Sequence, residues 1–182
     1  MKKQFVAVAV VLLLVCTLIF AGCGKDNLTP QYQEFCQMID GATFNTSKPD
    51  GYEYFNLYVD KWDGYVDFRI NAPNWGVTVS VYGDPSKPLV VYFRSVQNSG
   101  SANSVENIVF LDYTTMSAQY AVNKVIINHQ QVDSSNANYT QLVDDANNAY
   151  QVALPIINDV ISQISGGKYV SMDQLRVATT NN

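Results

Sequence analysis

Between Tyr52 and Arg94, apolar and polar residues alternate in four runs, broken by the turn clusters Lys61-Trp62-Asp63-Gly64, Asn71 to Gly76 and Gly83 to Pro88. A period of two is the signature of a strand buried on one side, because neighbouring side chains point to opposite faces. One face collects Phe55, Leu57 and Val59; Val66, Phe68 and Ile70; Val77, Val79 and Val81; and Leu89, Val91 and Phe93. The other carries Tyr54, Asn56, Tyr58 and Asp60; Tyr65, Asp67 and Arg69; Thr78, Ser80 and Tyr82; and Tyr92 and Arg94. A short internal echo, Asp50-Gly51-Tyr52 with Phe55 and Leu57 against Asp63-Gly64-Tyr65 with Phe68 and Ile70, marks two turns that each feed a strand. Beyond a Ser-, Asn- and Gly-containing loop at Asn98 to Ser104, two strands with weaker alternation are expected near Glu106 to Asp112 and Ala121 to Asn128.

Helical spacing appears at both ends of this β-rich block. Thr29-Pro30 followed by Tyr32, Phe35, Cys36 and Ile39 predicts a capped helix with Pro at its first position and Gly41 as its stop. From about Asn138 to Ile164 an apolar stripe runs through Leu142, Val143, Ala146, Ala149, Tyr150, Ala153, Ile157, Val160, Ile161 and Ile164. Pro155 is expected to kink or split that helix, Gly166-Gly167 to end it, and Ser171 to Gln174 to form a capping box for a short last helix. An antiparallel meander with one greasy face needs a cover, and the long helix is the natural one. The predicted class is therefore α+β: a meander of about six strands, one face covered by the long C-terminal helix and the short N-terminal one. A two-layer sandwich is the alternative should the tyrosine face also be buried.

The first residues have another logic. Lys2 and Lys3 precede an uncharged, predominantly apolar run of sixteen residues, Phe5 to Phe20, which ends in Ala21-Gly22-Cys23. A positive start, a short apolar stretch and small residues before a cleavage point make a secretory signal, and sixteen residues fall short of the roughly 20 that span a bilayer. This region resembles the signal of bacterial lipoproteins, with Ala21, Gly22 and Cys23 matching the lipobox and Phe20 standing where Leu is usual. The resemblance implies cleavage before Cys23, a diacylglyceryl thioether on its sulfur, and an extracytoplasmic, lipid-anchored location at the cell membrane or outer membrane. Gly24 rather than Asp after the cysteine favours the outer membrane in a double-membraned cell. Two acyl chains hold a protein durably where one does not. The expected organisation is a signal peptide at 1–22, a tether at 23–28, one α+β domain at 29–178 and a disordered tail at 179–182. A six-residue tether reaches about 20 Å when extended, so the domain is expected to work close to its membrane.

Removal of 1–22 leaves 160 residues, enough for one domain with a proper core, and moves the formal charge from −5 to −7. That charge speaks against nucleic acid as a partner. With Cys16 removed and Cys23 lipidated, Cys36 is the single remaining thiol, so an intradomain disulfide is excluded.

The catalytic inventory is sparse. His129 is the one histidine and Cys36 the one free thiol, and nothing flanking Cys36 is expected to lower its pKa. No transition-metal site and no cofactor is expected from so few soft ligands. Asp60, Asp63 and Asp67 surround a turn, but their spacing fits no calcium loop. Glu34, Glu53 and Glu106 are the only glutamates, none in an apolar run that would raise its pKa for glycoside hydrolysis. These groups point away from an enzyme.

What remains is the tyrosine face. Aromatic rings on a rigid sheet stack on sugars or peptide side chains at low entropic cost, while Asn, Asp and Arg fix orientation. The candidate ligand-binding residues are Tyr54, Tyr58, Tyr65, Tyr82, Tyr92, Asp67, Arg69 and Arg94, with Trp62 and Trp75 either extending the surface or plugging the rim of the core. The expected function is a non-catalytic, membrane-anchored binding module for a glycan, peptide or other small ligand. The alternative is an accessory subunit docking on another envelope protein.

Overall fold

The computed structural model describes residues 27–45, 56–97, 100, 102, 104–114 and 119–177. The expected signal peptide, Cys23, Tyr54, Phe55 and the tail at 179–182 lie outside the described residues. Helix α1 spans Pro30–Ile39 and opens as its sequence predicts. The Thr29 hydroxyl accepts from the Tyr32 N–H at 3.2 Å, Pro30 fills the first turn where no amide is needed, and Gly41 follows the end at φ 83°. Thr29 also donates its hydroxyl to the Leu175 carbonyl, so one residue both caps α1 and ties it to the far end of the chain.

Seven strands follow among the described residues: β1 (Asn56–Lys61), β2 (Tyr65–Asn71), β3 (Trp75–Tyr82), β4 (Leu89–Gln97), β5 (Val105–Tyr113), β6 (Tyr120–Ile127) and β7 (Gln130–Val132). They form one antiparallel sheet in sequence order. Among the described residues a single sheet leaves no second layer for the sandwich alternative. Helix α2, Tyr139–Ile164, and the five-residue α3, Met172–Arg176, follow the sheet among the described residues.

Burial in the strands follows the parity of the sequence. Val66, Phe68, Ile70, Val79, Val81 and Val91 are completely enclosed, and α2 lays Ala146, Ala153, Ile157, Val160 and Ile161 on the same face. Each large side chain buried this way contributes about 1.5–3 kcal/mol. The Phe35 ring of α1 meets Phe68 at 6.4 Å and extends the cover towards β1 and β2.

Three details depart from the sequence expectation. The seventh strand is short and follows a two-residue turn in which Asn128 and His129 both have positive φ, 50° and 67°. A type I′ hairpin needs that conformation at both positions, and Asn-His is a less conspicuous signal for it than Asn-Gly. Helix α2 runs through Pro155 without splitting. Pro155 faces solvent, where water can serve the carbonyl one turn earlier, while Ala153 and Ile157 on either side are held in the core. The helix ends as expected, the Gly167 N–H donating to the Ser162 carbonyl at 2.8 Å and Gly166 N–H to Gln163 at 3.2 Å. At α3 the Ser171 hydroxyl accepts from Gln174 N–H as in a capping box, but the Gln174 side chain reaches back to the Val170 N–H rather than to Ser171.

Two tyrosines make this core sensitive to alkali. Tyr113 and Tyr150 meet at 4.4 Å between β5 and α2, and the Tyr113 hydroxyl donates to Asn147 at 2.7 Å. Burial pushes the Tyr150 phenol up to about 12 and raises Tyr113 as well. A folded-state pKa above the unfolded value gives stability that is complete below the unfolded pKa and disappears as pH rises through the folded one. For Tyr150 this amounts to about 2–3 kcal/mol. Denaturant midpoints measured across the alkaline range should hold to about pH 10 and fall steadily towards pH 12.

Candidate functional site

No described helix packs on the second face of the sheet, and strand register arranges its side chains in rows. One row crosses β1 to β6 as Tyr58, Arg69, Thr78, Tyr92, Phe110 and Lys124. Beside it lie Asp60, Asp67, Ser80, Val90 and Asp112, and on its other side Asn71, Gly76, Arg94, Ile108 and Ile126. Asp60 and Asp67 sit directly opposite each other, a pairing of like charges that destabilises a sheet unless offset. Two contacts offset it: Arg69 donates to Asp60 at 2.5 Å, and the Ser80 hydroxyl donates to Asp67 at 2.6 Å.

The aromatic candidates separate into groups. At one end of the sheet Trp62 stacks on Tyr65 at 6.1 Å, Tyr65 meets Tyr82 at 5.2 Å, and the Lys87 ammonium lies 5.3 Å from the Tyr82 ring. Trp62 is half exposed and extends the surface; Trp75, on the opposite parity, packs against the core. In the middle, Tyr92 meets Phe110 edge to face at 5.1 Å. Partial burial raises the phenol pKa of both Tyr82 and Tyr92. Tyr58, on the edge strand, is the most open of the described candidate tyrosines at 48 % exposure.

A cleft of about 460 Å³ brings three of the sequence-predicted residues together. Arg69 stands on one side and Tyr92 and Arg94 on the other, with Gly76 and Thr78 of β3 between them and the β2–β3 turn at its end. The acidic row separates Tyr65 and Tyr82 from this cleft. Sequence reasoning missed Gly76 and Asn71, which read as turn residues, and Phe110, whose strand carries apolar residues on both faces.

The remaining chemistry stays dispersed. Cys36 sits half-buried in α1 beside the β1 edge, where Lys61 donates to its carbonyl at 3.2 Å, and burial raises its thiol pKa. His129 is in the β6–β7 turn at the opposite edge of the sheet, exposed, with its Nδ1 3.8 Å from Glu106. The structure does not bring this thiol and this imidazole together. Among the described residues no three His, Cys, Asp or Glu side chains are grouped to hold a metal, and no helix is long and apolar enough to cross a membrane.

Comparison with protein-family models, curated proteins and solved structures returns no match. The functional reading therefore rests on the geometry of the face itself.

Proposed function

We propose that this protein is a non-catalytic binding module that is lipid-anchored outside the cytoplasm through Cys23 and meets its ligand on the uncovered face of the sheet. The observation that carries the reading is the division of labour between the two faces. The long helix is spent on one, while the other keeps rings and charged groups that hold one another in place without a covering layer. Rings supported this way lose little entropy when a ligand stacks on them. A tether of a few residues would present the module close to the bilayer, so its ligand would be a component of the envelope or a molecule arriving there.

The test is a screen of glycans and peptides with the full chain, followed by the same screen with Tyr58→Ser and Tyr92→Ser combined. Binding should fall at least tenfold while the loss of stability stays within about 1–2 kcal/mol. Unchanged binding by the variant would place recognition elsewhere and refute the proposal.

A further inference from the structure

The cleft over Gly76 has a more specific chemistry than the face around it. Its floor is low because β3 presents Gly76 and Thr78 between two taller strands, β2 and β4, which stand about 10 Å apart, two strand spacings. The space over Gly76 is guarded: a Cβ there would come 3.0 Å from the Asn71 side-chain oxygen and 3.3 Å from the Ile70 carbonyl. At about 460 Å³ the cleft is within the size range of small-molecule sites.

Two arginines line this space from either side of β3, Arg69 from β2 and Arg94 from β4. Each is held from outside by a carboxylate on the next strand outward. Arg69 uses a terminal nitrogen on Asp60 of β1, and Arg94 uses Nε on Glu106 of β5, at 2.6 Å. Neither carboxylate lines the cleft. A guanidinium has five N–H donors in a rigid fork, so one bond to an outer acid orients it and leaves donors for a planar anion. Tyr92, steadied edge-on by Phe110, supplies an aromatic wall, and Asn71 and Thr78 supply polar groups suited to hydroxyls.

We infer that this cleft binds a carboxylate carried on a sugar ring, a uronic-acid unit. The inference rests on the proposed ligand-binding role of the open face and names the class of ligand. The chain as a whole is acidic, at −5, and repels long polyanions. Two local cations then select one carboxylate rather than a polymer of them, and the ring wall selects a cyclic carrier over a bare anion.

Calorimetric titration of the full chain with glucuronate, glucose, acetate and inorganic phosphate tests this. Glucuronate should bind at least tenfold more tightly than each of the other three. Arg69→Gln and Arg94→Gln should each weaken glucuronate at least tenfold, and Arg94→Lys, which keeps the charge but loses the fork, should fall between Arg94→Gln and the unaltered protein. Far-ultraviolet circular dichroism confirms that each variant is folded. Gly76→Ala, which narrows the floor and leaves both charges in place, should also weaken glucuronate. Equal binding of glucose and glucuronate, tighter binding of phosphate, undetectable glucuronate binding, or full affinity in folded arginine variants would overturn the inference. Should uncharged ligands bind and be lost in the Tyr58→Ser, Tyr92→Ser protein, the open-face reading would stand while the carboxylate assignment fell.

Discussion

Replacing Gly83 with alanine is expected to cost about 3 kcal/mol, at the upper end of the usual range for overpacking, and to loosen the first helix from the sheet. A Cβ at this position would lie 2.3 Å from Cδ1 of Tyr32 and under 3 Å from two more atoms of its ring. Neither partner has room to retreat. Tyr32 is 2 % exposed, and the Gly83 backbone is pinned on both sides, its N–H donating to Gly64 at 3.1 Å and its carbonyl accepting from Thr29 at 2.9 Å. The Thr29 bond is part of the α1 cap, so a shift of Gly83 propagates into the helix start and its tie to Leu175. Urea denaturation gives the loss, and hydrogen exchange should show residues 30–39 opening before the sheet. A double-mutant cycle with Tyr32→Ala should show strong coupling, the pair costing less than the sum of its members. Additive losses would mean that the close approach is not what Gly83 provides.

The second large effect is expected at Phe68. It is fully enclosed at the centre of β2, between the sheet core and Phe35 of α1. Phe68→Ala removes a ring from a place where three elements meet, and the surroundings can close the hole only in part. A loss of about 3–5 kcal/mol is expected, or a melting temperature lower by roughly 10 °C. Domains of this size are stable by about 5–15 kcal/mol in total, so this one ring accounts for a large share. A change below about 1 kcal/mol would show that the alternating face is not the core.

The legibility of this fold in the sequence varied from element to element for physical reasons. The two faces of strands β2 and β3 could be read, because one is buried and the other wet, so Val66, Phe68 and Ile70 or Val77, Val79 and Val81 stand out against polar neighbours, while Asn71, Trp75 and Gly76 at the strand ends read as turn. Strand β5 was harder, since Ile108 and Phe110 put apolar groups on the open face as well. Strand β6 is interrupted by an irregular register opposite Phe110 and Leu111, which breaks its parity. The split that Pro155 allows for does not occur, because burial on both sides of the exposed proline outweighs the lost hydrogen bond.

The candidate site was legible as a face but not as a cleft. Parity alone puts Arg69, Tyr92 and Arg94 on the same side of a sheet. Their convergence depends on pairing register, which sets Thr78 between Arg69 and Tyr92 and sets Gly76 beside Arg94. The counter-charges Asp60 and Glu106 were visible as acids, but their position behind the two arginines follows from strand order, not spacing.

The most direct test compares the two faces in one protein: melting temperature and ligand binding for Tyr58→Ser with Tyr92→Ser, beside those for Phe68→Ala. The account predicts that the tyrosine pair loses binding at least tenfold with a melting temperature within a few degrees of the parent, while Phe68→Ala melts roughly 10 °C lower and, below its transition, still binds. A collapse of stability in the tyrosine pair, or binding that survives it intact, would contradict the assignment of this face to recognition.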